Sequence, residues 1–474
     1  MAVGGVLCAV TPPGPAHAAE TPPPYAFAAD AQTVQGAPSS TGSRTLAPGS
    51  TYKSSIKHPG TGTTELYYRL ELDARENVYV SATALPGPGS RVGFADGIKV
   101  SVQDADGFDC DSGTARFGAS RSPRPLTASA LRDAGTDDSR CARAGTYYVV
   151  VERTASSRAS VSDSTESTEK PSTTEEWDLE LHVASEPALV KQGATTPPQV
   201  GDSASPTPPA GRARPRAGGS SFSTARALTK GAWDDRVKPG ETRYYRVPVD
   251  WGQRLSATVE LGGSDARGTG VPGTGTDGSG ASGSGRAGGS AGDREYVTSA
   301  LVVGLFNPAR GPVEDLDTAY DGRQRSAALP ALPPVAYENR YAPVPRVSEV
   351  RFAGWYYLAV HLDPDVAARF GDGPLGLTLR VDVAGEPRPG PAYVGTARPA
   401  DEFGVTERDE DAARDGTTRE KPGRLVEAGG GGSGDADEAM KVVAAAGIGT
   451  GTVLIAVLGV WTWVARRRAR RIPA

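Results

Sequence analysis

Residues 65–73 read ELYYRLELD and lead into 77–84, NVYVSATA; residues 242–250 read TRYYRVPVD and lead into 254–260, RLSATVE. In the first stretch Tyr68, Leu70 and Leu72 fall on one face and Arg69 and Glu71 on the other, and Tyr245, Val247 and Val249 repeat that phase. Alternation of period two, rich in aromatic and β-branched residues, predicts strands with one buried face. The match continues along the chain. Residues 98–102 (IKVSV) before QDADG match 301–306 (LVVGLF) before NPARG, 144–151 (AGTYYVVV) match 353–360 (AGWYYLAV), and 177–183 (WDLELHV) match 375–381 (LGLTLRV). Upstream, Leu46 and Gly49 match Leu228 and Gly231. Such an internal repeat means one structural unit used twice. With Gly, Pro and Asp turns between the blocks, the pattern predicts a mainly β chain of two tandem antiparallel β-sandwich modules.

Stretches that bury too little apolar surface to offset chain entropy separate these blocks. Residues 156–175 are rich in Ser, Thr and Glu, and 262–292 form a Gly/Ser-rich insertion. The expected layout is a signal peptide over 1–18, module 1 over 33–190, a Pro-rich linker over 191–216 and module 2 over 217–388. A disordered stalk over 389–440, a transmembrane helix over 441–465 and a cytoplasmic tail over 466–474 complete it.

A strand ending in YY, an LSATVE-type strand, a strand running into an Asp/Asn-x-x-Gly turn, AG-x-YY at Ala144–Tyr148 and Ala353–Tyr357, and a closing strand together resemble the bacterial pre-peptidase C-terminal (PPC) domain. The resemblance covers most of 40–185 and 217–385. It implies a jelly-roll-like sandwich in an extracellular setting, of the kind that accompanies secreted enzymes as an accessory module. YYRVPVDWGQRL, from Tyr244, is also similar to segments that follow a von Willebrand A domain in membrane-anchored surface proteins of high-GC Gram-positive bacteria. Neither a peptidase nor a von Willebrand A domain is present here, so what the resemblance implies is a fold and a setting without an activity.

The ends predict export and anchoring. A short apolar run closes on Ala16-His17-Ala18, the small-x-small ending of a signal peptide cut after Ala18, and the missing positive charge before it predicts a start codon further upstream. Residues 442–465 are apolar and uncharged, long enough at about 1.5 Å per residue to cross about 30 Å of hydrocarbon. Trp461 and Trp463 mark an interface, and Arg466, Arg467, Arg468, Arg470 and Arg471 place the C-terminus in the cytoplasm. Taking those five arginines from a formal charge of −5 leaves the exported part at −10, which argues against nucleic acid as a partner. Gly447 and Gly451 form GxxxG, a spacing through which two copies of the span can pair as a homodimer.

Few residues announce chemistry. Cys110 and Cys141, the pair left after signal removal, are expected to form a disulfide. GxSxG at Gly288–Gly292 lies in a Gly/Ser tract without the strand and helix a nucleophile elbow needs. His182 and His361 occupy the polar phase of their strands and are expected to be exposed. Asp104, Asp106, Asp109 and Asp111 are spaced closely enough for calcium, but not as an EF-hand, and a solvated turn is the simpler expectation. Tyr67, Tyr147, Tyr244, Trp251 and Trp355 are candidates for an aromatic ligand-binding platform on an outer sheet face. The chain is therefore expected to be non-enzymatic, with no cofactor and no assigned metal. The expected role is a cell-surface binding or scaffold protein whose partner is a surface or membrane protein or a cell-wall glycan, with a structural subunit of an envelope or secretion complex as the alternative.

Overall fold

The computed structural model describes residues 22–60, 63–135, 140–155, 172–173, 175–197, 206–264, 296–420 and 424–426. The alternating blocks are strands. In module 1 they are β1 (Gln32–Thr33), β2 (Arg44–Thr45), β3 (Thr51–Ile56), β4 (Thr63–Leu72), β5 (Asn77–Leu85), β6 (Gly97–Asp104), β7 (Asp109–Arg116), β8 (Leu126–Arg132), β9 (Gly145–Thr154) and β10 (Trp177–Glu186). In module 2 they are β11 (Arg214–Pro215), β12 (Arg226–Ala227), β13 (Gly231–Val237), β14 (Thr242–Val249), β15 (Arg254–Leu261), β16 (Val297–Phe306), β17 (Pro312–Tyr320), β18 (Arg325–Ala328), β19 (Gly354–Leu362) and β20 (Leu375–Ala384).

Module 1 has sheets ordered β1-β3-β10-β5-β8 and β2-β4-β9-β6-β7; module 2 has β11-β13-β20-β15-β18 and β12-β14-β19-β16-β17. Adding ten to every strand number turns one module into the other, so the repeat is one of topology as well as sequence. Register is kept too. Ala82 faces Leu181 as Val259 faces Leu379, and Leu70 faces Tyr147 as Val247 faces Tyr356.

The phase read from the sequence is the phase of burial. Tyr68, Leu70 and Leu72 lie in one core beside Leu179, Leu181 and Val183, and Tyr245, Val247 and Val249 lie in the other beside Leu377, Leu379 and Val381. Each such side chain withdrawn from water contributes about 1.5–3 kcal/mol before entropy is charged against it.

Among the described residues three α-helices stand beside the strands: α1 (Pro345–Ser348), α2 (Asp365–Phe370) and α3 (Glu407–Asp415). α3 lies inside the expected stalk and corrects its near half. Thr406 and Asp409 form a reciprocal capping box at its start, and Gly416, at φ 71°, closes it. Before it, residues 392–398 run beside the end of β10, with Ser185 opposite Arg398 and Leu189 opposite Tyr393. Composition hid this strap because its charged residues outnumber the four that anchor it: Tyr393, Phe403, Ala412 and Ala413. The last residues of the expected linker also belong to module 2, where Arg214 and Arg216 stack on Trp233.

Among the described residues no helix is long and apolar enough to cross a membrane. The expected signal peptide, the expected span over 441–465 with Gly447 and Gly451, the expected tail, and Ser290 of the GxSxG match lie outside the described residues.

Candidate functional site

The two sandwiches meet, and a candidate site lies where they do. The outward residues of β5 and β10, which in an isolated sandwich would face water, are buried: Tyr79, Ser81, Thr83, Glu180, His182, Ala184 and Glu186. Module 2 supplies their partners. Arg310, in the turn between β16 and β17, reaches Glu180 at 2.5 Å, and the same carboxylate accepts from Tyr25 Oη at 2.9 Å and Ala28 N at 3.1 Å. Arg340 binds Glu186 through both terminal nitrogens at 2.8 and 3.0 Å, and Tyr79, Asn77 and Tyr393 donate to the same group. Burial alone would raise the Glu186 carboxyl; the Arg340 guanidinium and these donors outweigh it and hold the group below the usual carboxylate range. A buried charge is tolerable only when so fully partnered. Around the ion pairs Tyr79 meets Phe352 edge-on at 4.9 Å, and Phe352 stacks on Phe403 of the strap at 4.4 Å.

Both histidines expected at the surface sit in this seam. His361 Nε2 lies 2.6 Å from Ser122 Oγ of module 1 and its Nδ1 3.0 Å from Thr242 Oγ1. His182 lies 3.1 Å from Thr51 Oγ1 and 3.2 Å from Glu402 of the strap. Burial, helped by the charge of Arg124, pushes His361 down to about 3; burial and Arg310 also lower His182. Both rings are therefore neutral hydrogen-bonding spacers at neutral pH. The N-terminal arm completes the closure. Tyr25 meets Tyr244 edge-on at 6.0 Å, next to Phe222, Phe306, Trp355 and Tyr357 on the outer face of module 2, where α3 sets Ala412 and Ala413.

At one end of the seam the modules part around an open groove of about 1420 Å³. Its walls are the arm (Pro22 to Tyr25, and Phe27), the loop from Leu85 to Phe94, the loop from Arg121 to Pro125, and the module 2 loops at Pro239, Tyr296 and Asp363. Phe94 and Tyr296 are each 56% exposed. Arg91, Arg121, Arg124 and Arg369 share it with Asp178, Asp363 and Asp365. Burial lifts Asp363 to about 6. Proline and aromatic walls with polar groups of both signs suit an extended ligand held by stacking and hydrogen bonds.

The residues singled out from the sequence are distributed differently. Cys110 and Cys141 are bonded. Tyr67 is half-buried and donates to Glu65 at 2.8 Å. The other four platform candidates are buried, which corrects the expectation of an open aromatic face. Tyr147 faces the module 1 core and donates to the carbonyls of Cys141 and Arg143, because β9 is phased with Tyr147 inward and Tyr148 outward. Trp251 belongs to the module 2 core, Tyr244 lies under Phe222 and Tyr25, and Trp355 donates to Asp409 of α3 at 2.8 Å beneath Arg246 at 4.0 Å. The four aspartates are engaged separately. Asp104 caps its own turn and, with Asp106, pairs with Arg140; Asp109 accepts from Gln103, and Asp111 from Leu131 N. Among the described residues no three His, Cys, Asp or Glu side chains are grouped to hold a metal. Sequence reasoning missed Glu180, Glu186, Arg310, Arg340 and Phe352. The available signal was the outward phase of β10, WDLELHVASE, which carries Asp178, Glu180, His182 and Glu186 but says nothing of what they meet.

The class these features define is a protein of two β-sandwich modules packed across a buried ionic seam. No known protein family matches the chain, and no curated protein does. Among solved structures it is similar to the periplasmic g-type lysozyme inhibitor PliG of Aeromonas hydrophila (14% identity, 33% of this chain, 96% of that one, TM-score 0.15). It is similar also to a putative uncharacterized protein of Burkholderia cenocepacia (10% identity, 70% and 79%, TM-score 0.16) and to the ANXUR2 extracellular domain of Arabidopsis thaliana (8%, 71% and 92%, TM-score 0.14). At these TM-scores the likenesses carry no argument about fold or function.

Proposed function

We propose that the chain is a non-enzymatic binding or scaffold protein of the cell surface, exported through its N-terminal signal and anchored by residues 441–465 with the C-terminus inside. The observation that carries this reading is the clamped seam. Two PPC-like, jelly-roll-like sandwiches that could have been strung on a flexible linker are instead held at fixed angles around a groove by two buried ion pairs, an arm and a strap. Fixing two modules in one pose is useful for presenting a composite surface to a ligand and adds nothing to a passive spacer.

The test is co-purification of the tagged full-length protein from mildly solubilised envelopes, against a variant lacking residues 33–388. A stoichiometric protein lost in the variant supports a docking role. Retention of the ectodomain on purified cell wall, weakened by Phe94→Ala with Tyr296→Ala, supports a glycan in the groove. Neither result would leave the reading without support. A second reading, a structural subunit of an envelope or secretion complex, is favoured by the β6–β7 hairpin, whose tip presents the exposed Phe108 while the Cys110–Cys141 bond and the Arg140 pairs with Asp104 and Asp106 brace it.

A further inference from the structure

The β6–β7 turn of module 1 and the β16–β17 turn of module 2 are the same device, and one of them is already docked. Asp104 N donates to Phe108 O at 2.9 Å and Gly107 N to Asp104 O at 3.0 Å; Asn307 N donates to Gly311 O at 2.9 Å and Arg310 N to Asn307 O at 2.9 Å. In each, the first side chain caps the turn from inside, Asp104 Oδ1 accepting from Phe108 N and Asn307 Oδ1 from Gly311 N. The fourth residue is left-handed in both, Gly107 at φ 84° and Arg310 at φ 63°. Reading DADG against PARG sets Gly107 opposite Gly311, but the hydrogen bonds set it opposite Arg310. A left-handed non-glycine residue costs about 1–2 kcal/mol. Module 2 bears that cost where Arg310 enters the seam to meet Glu180 and Ala309 packs beside Tyr79 and Phe352.

The module 1 turn carries Phe108, 51% exposed. It is held ready: Arg140 pairs with Asp104 at 3.4 Å and Asp106 at 2.7 Å, lies 5.4 Å from the Phe108 ring, and follows the chain to Cys141, which is bonded to Cys110 at the base of the turn. The ordering cost of this tip is met before any partner arrives.

We propose that this tip, Asp104 to Phe108, is a docking finger for a second protein that offers an apolar pocket rimmed by arginine or lysine. Asp106 is paired with Arg140 and Asp109 with Lys99 at 3.9 Å. With Asp104 and Asp111, however, the hairpin end holds four carboxylates against those two cations, so a basic rim completes the finger as Glu180 completes Arg310, while an anionic membrane or wall polymer is repelled. A second copy of this chain is a poor host. The strand positions equivalent to Glu180 and His182 are Thr378 and Arg380, and Arg380 is tied to Glu260 at 2.6 Å and to Pro209 O at 3.0 Å.

The finger rests on the reading of the chain as a surface docking protein, and one experiment separates the two. A photoreactive phenylalanine is placed at Phe108 in the full-length protein in its own cells, and at Val190, 64% exposed, as control. The expected result is one discrete protein adduct at 108 and not at 190, joined near a lysine or arginine of the partner. It should fall by about tenfold with Asp109→Lys, which leaves the Arg140 brace intact, at unchanged thermal midpoint, and persist with Asp109→Glu. An adduct no stronger than the control, one on lipid, wall polymer or a second copy, or one indifferent to charge reversal overturns the finger. A partner that co-purifies but is joined elsewhere removes the finger and leaves the docking role standing; loss of both removes both.

Discussion

The outer faces of the two equivalent sheets make opposite use of one pattern. On β4 the outward residues Tyr67, Arg69 and Glu71 meet water, Arg69 and Glu71 pairing with each other at 3.3 Å. On β14 their counterparts Tyr244, Arg246 and Pro248 lie against the arm, the strap helix and Trp355, with Arg246 only 3% exposed. The other pair of sheets reverses the roles. The outward side of β10 in module 1 is buried, while that of β20 presents Thr378, Arg380 and Asp382 around surface ion pairs with Glu260 and Lys230. The inward residues of the two modules correspond while the outward ones differ, and it is the outward ones that join the two sandwiches.

Substitutions at matched positions test how unequal the faces are. The largest effect is expected for Glu180→Ala, which strands Arg310 in the seam and should cost about 3–5 kcal/mol in urea unfolding followed by tryptophan fluorescence. Thr378→Ala, its counterpart on the open face, should stay within about 0.5 kcal/mol. Equal losses would mean that the seam is no different from a solvated face.

The disulfide offers a second contrast, because its equivalents in module 2, Val313 and Val350, are core residues instead. Replacing Cys110 and Cys141 together by valine should lower stability by about 3.5–4 kcal/mol, from the chain entropy released over a loop of 31 residues, and should loosen the β6–β7 hairpin to proteolysis before module 2 is touched.

A smaller effect depends on pH. His361 titrates near 6.5 in an unfolded chain and at about 3 in the seam, so below 6.5 the unfolded chain takes up a proton that the folded one refuses. Stability from this ring is complete above 6.5 and is lost as pH falls, by up to about 1.4 kcal/mol per unit. Asp363, raised to about 6, binds its proton in the folded form first and works in the opposite sense between about 4 and 6. His361→Gln should therefore flatten the fall in thermal midpoint between pH 6.5 and 4; an unchanged slope would place the ring outside the seam. A small effect is expected at Tyr67 too, where truncation to alanine should cost less than about 1 kcal/mol, well short of Tyr244→Ala in the same assay.

The cores were legible because a sandwich buries every second residue and the chain obeys that rule in both copies. Leu70 and Val247, or Leu181 and Leu379, were placed correctly by period alone. The seam was not legible, since alternation says which residues leave the core and not what they meet. A histidine on the outward phase reads the same whether it faces water, as expected for His182 and His361, or a second module. The strap was obscured by charge, although Thr406-x-x-Asp409 followed by Gly416 is a helix start and stop that the sequence displays. The finger was half visible. Its acidic residues stood out, but their use as braces for Phe108 depends on Arg140, which proximity in sequence does not supply.

The arm and the strap tie together residues far apart along the chain. Tyr25 waits for Glu180, 155 residues on, and Ser223 meets Ala26 across 197; Arg398 reaches back 213 residues to Ser185. Closing contacts at such separations is slow, and the arm is made long before its site exists. Each sandwich can gather its own strands as they emerge, yet the arm has no complete berth until module 2 has folded and α3 has followed it. Assembly should thus proceed in two stages, fast formation of two sandwiches and a late locking step in which the two ends of the described chain close over the seam together.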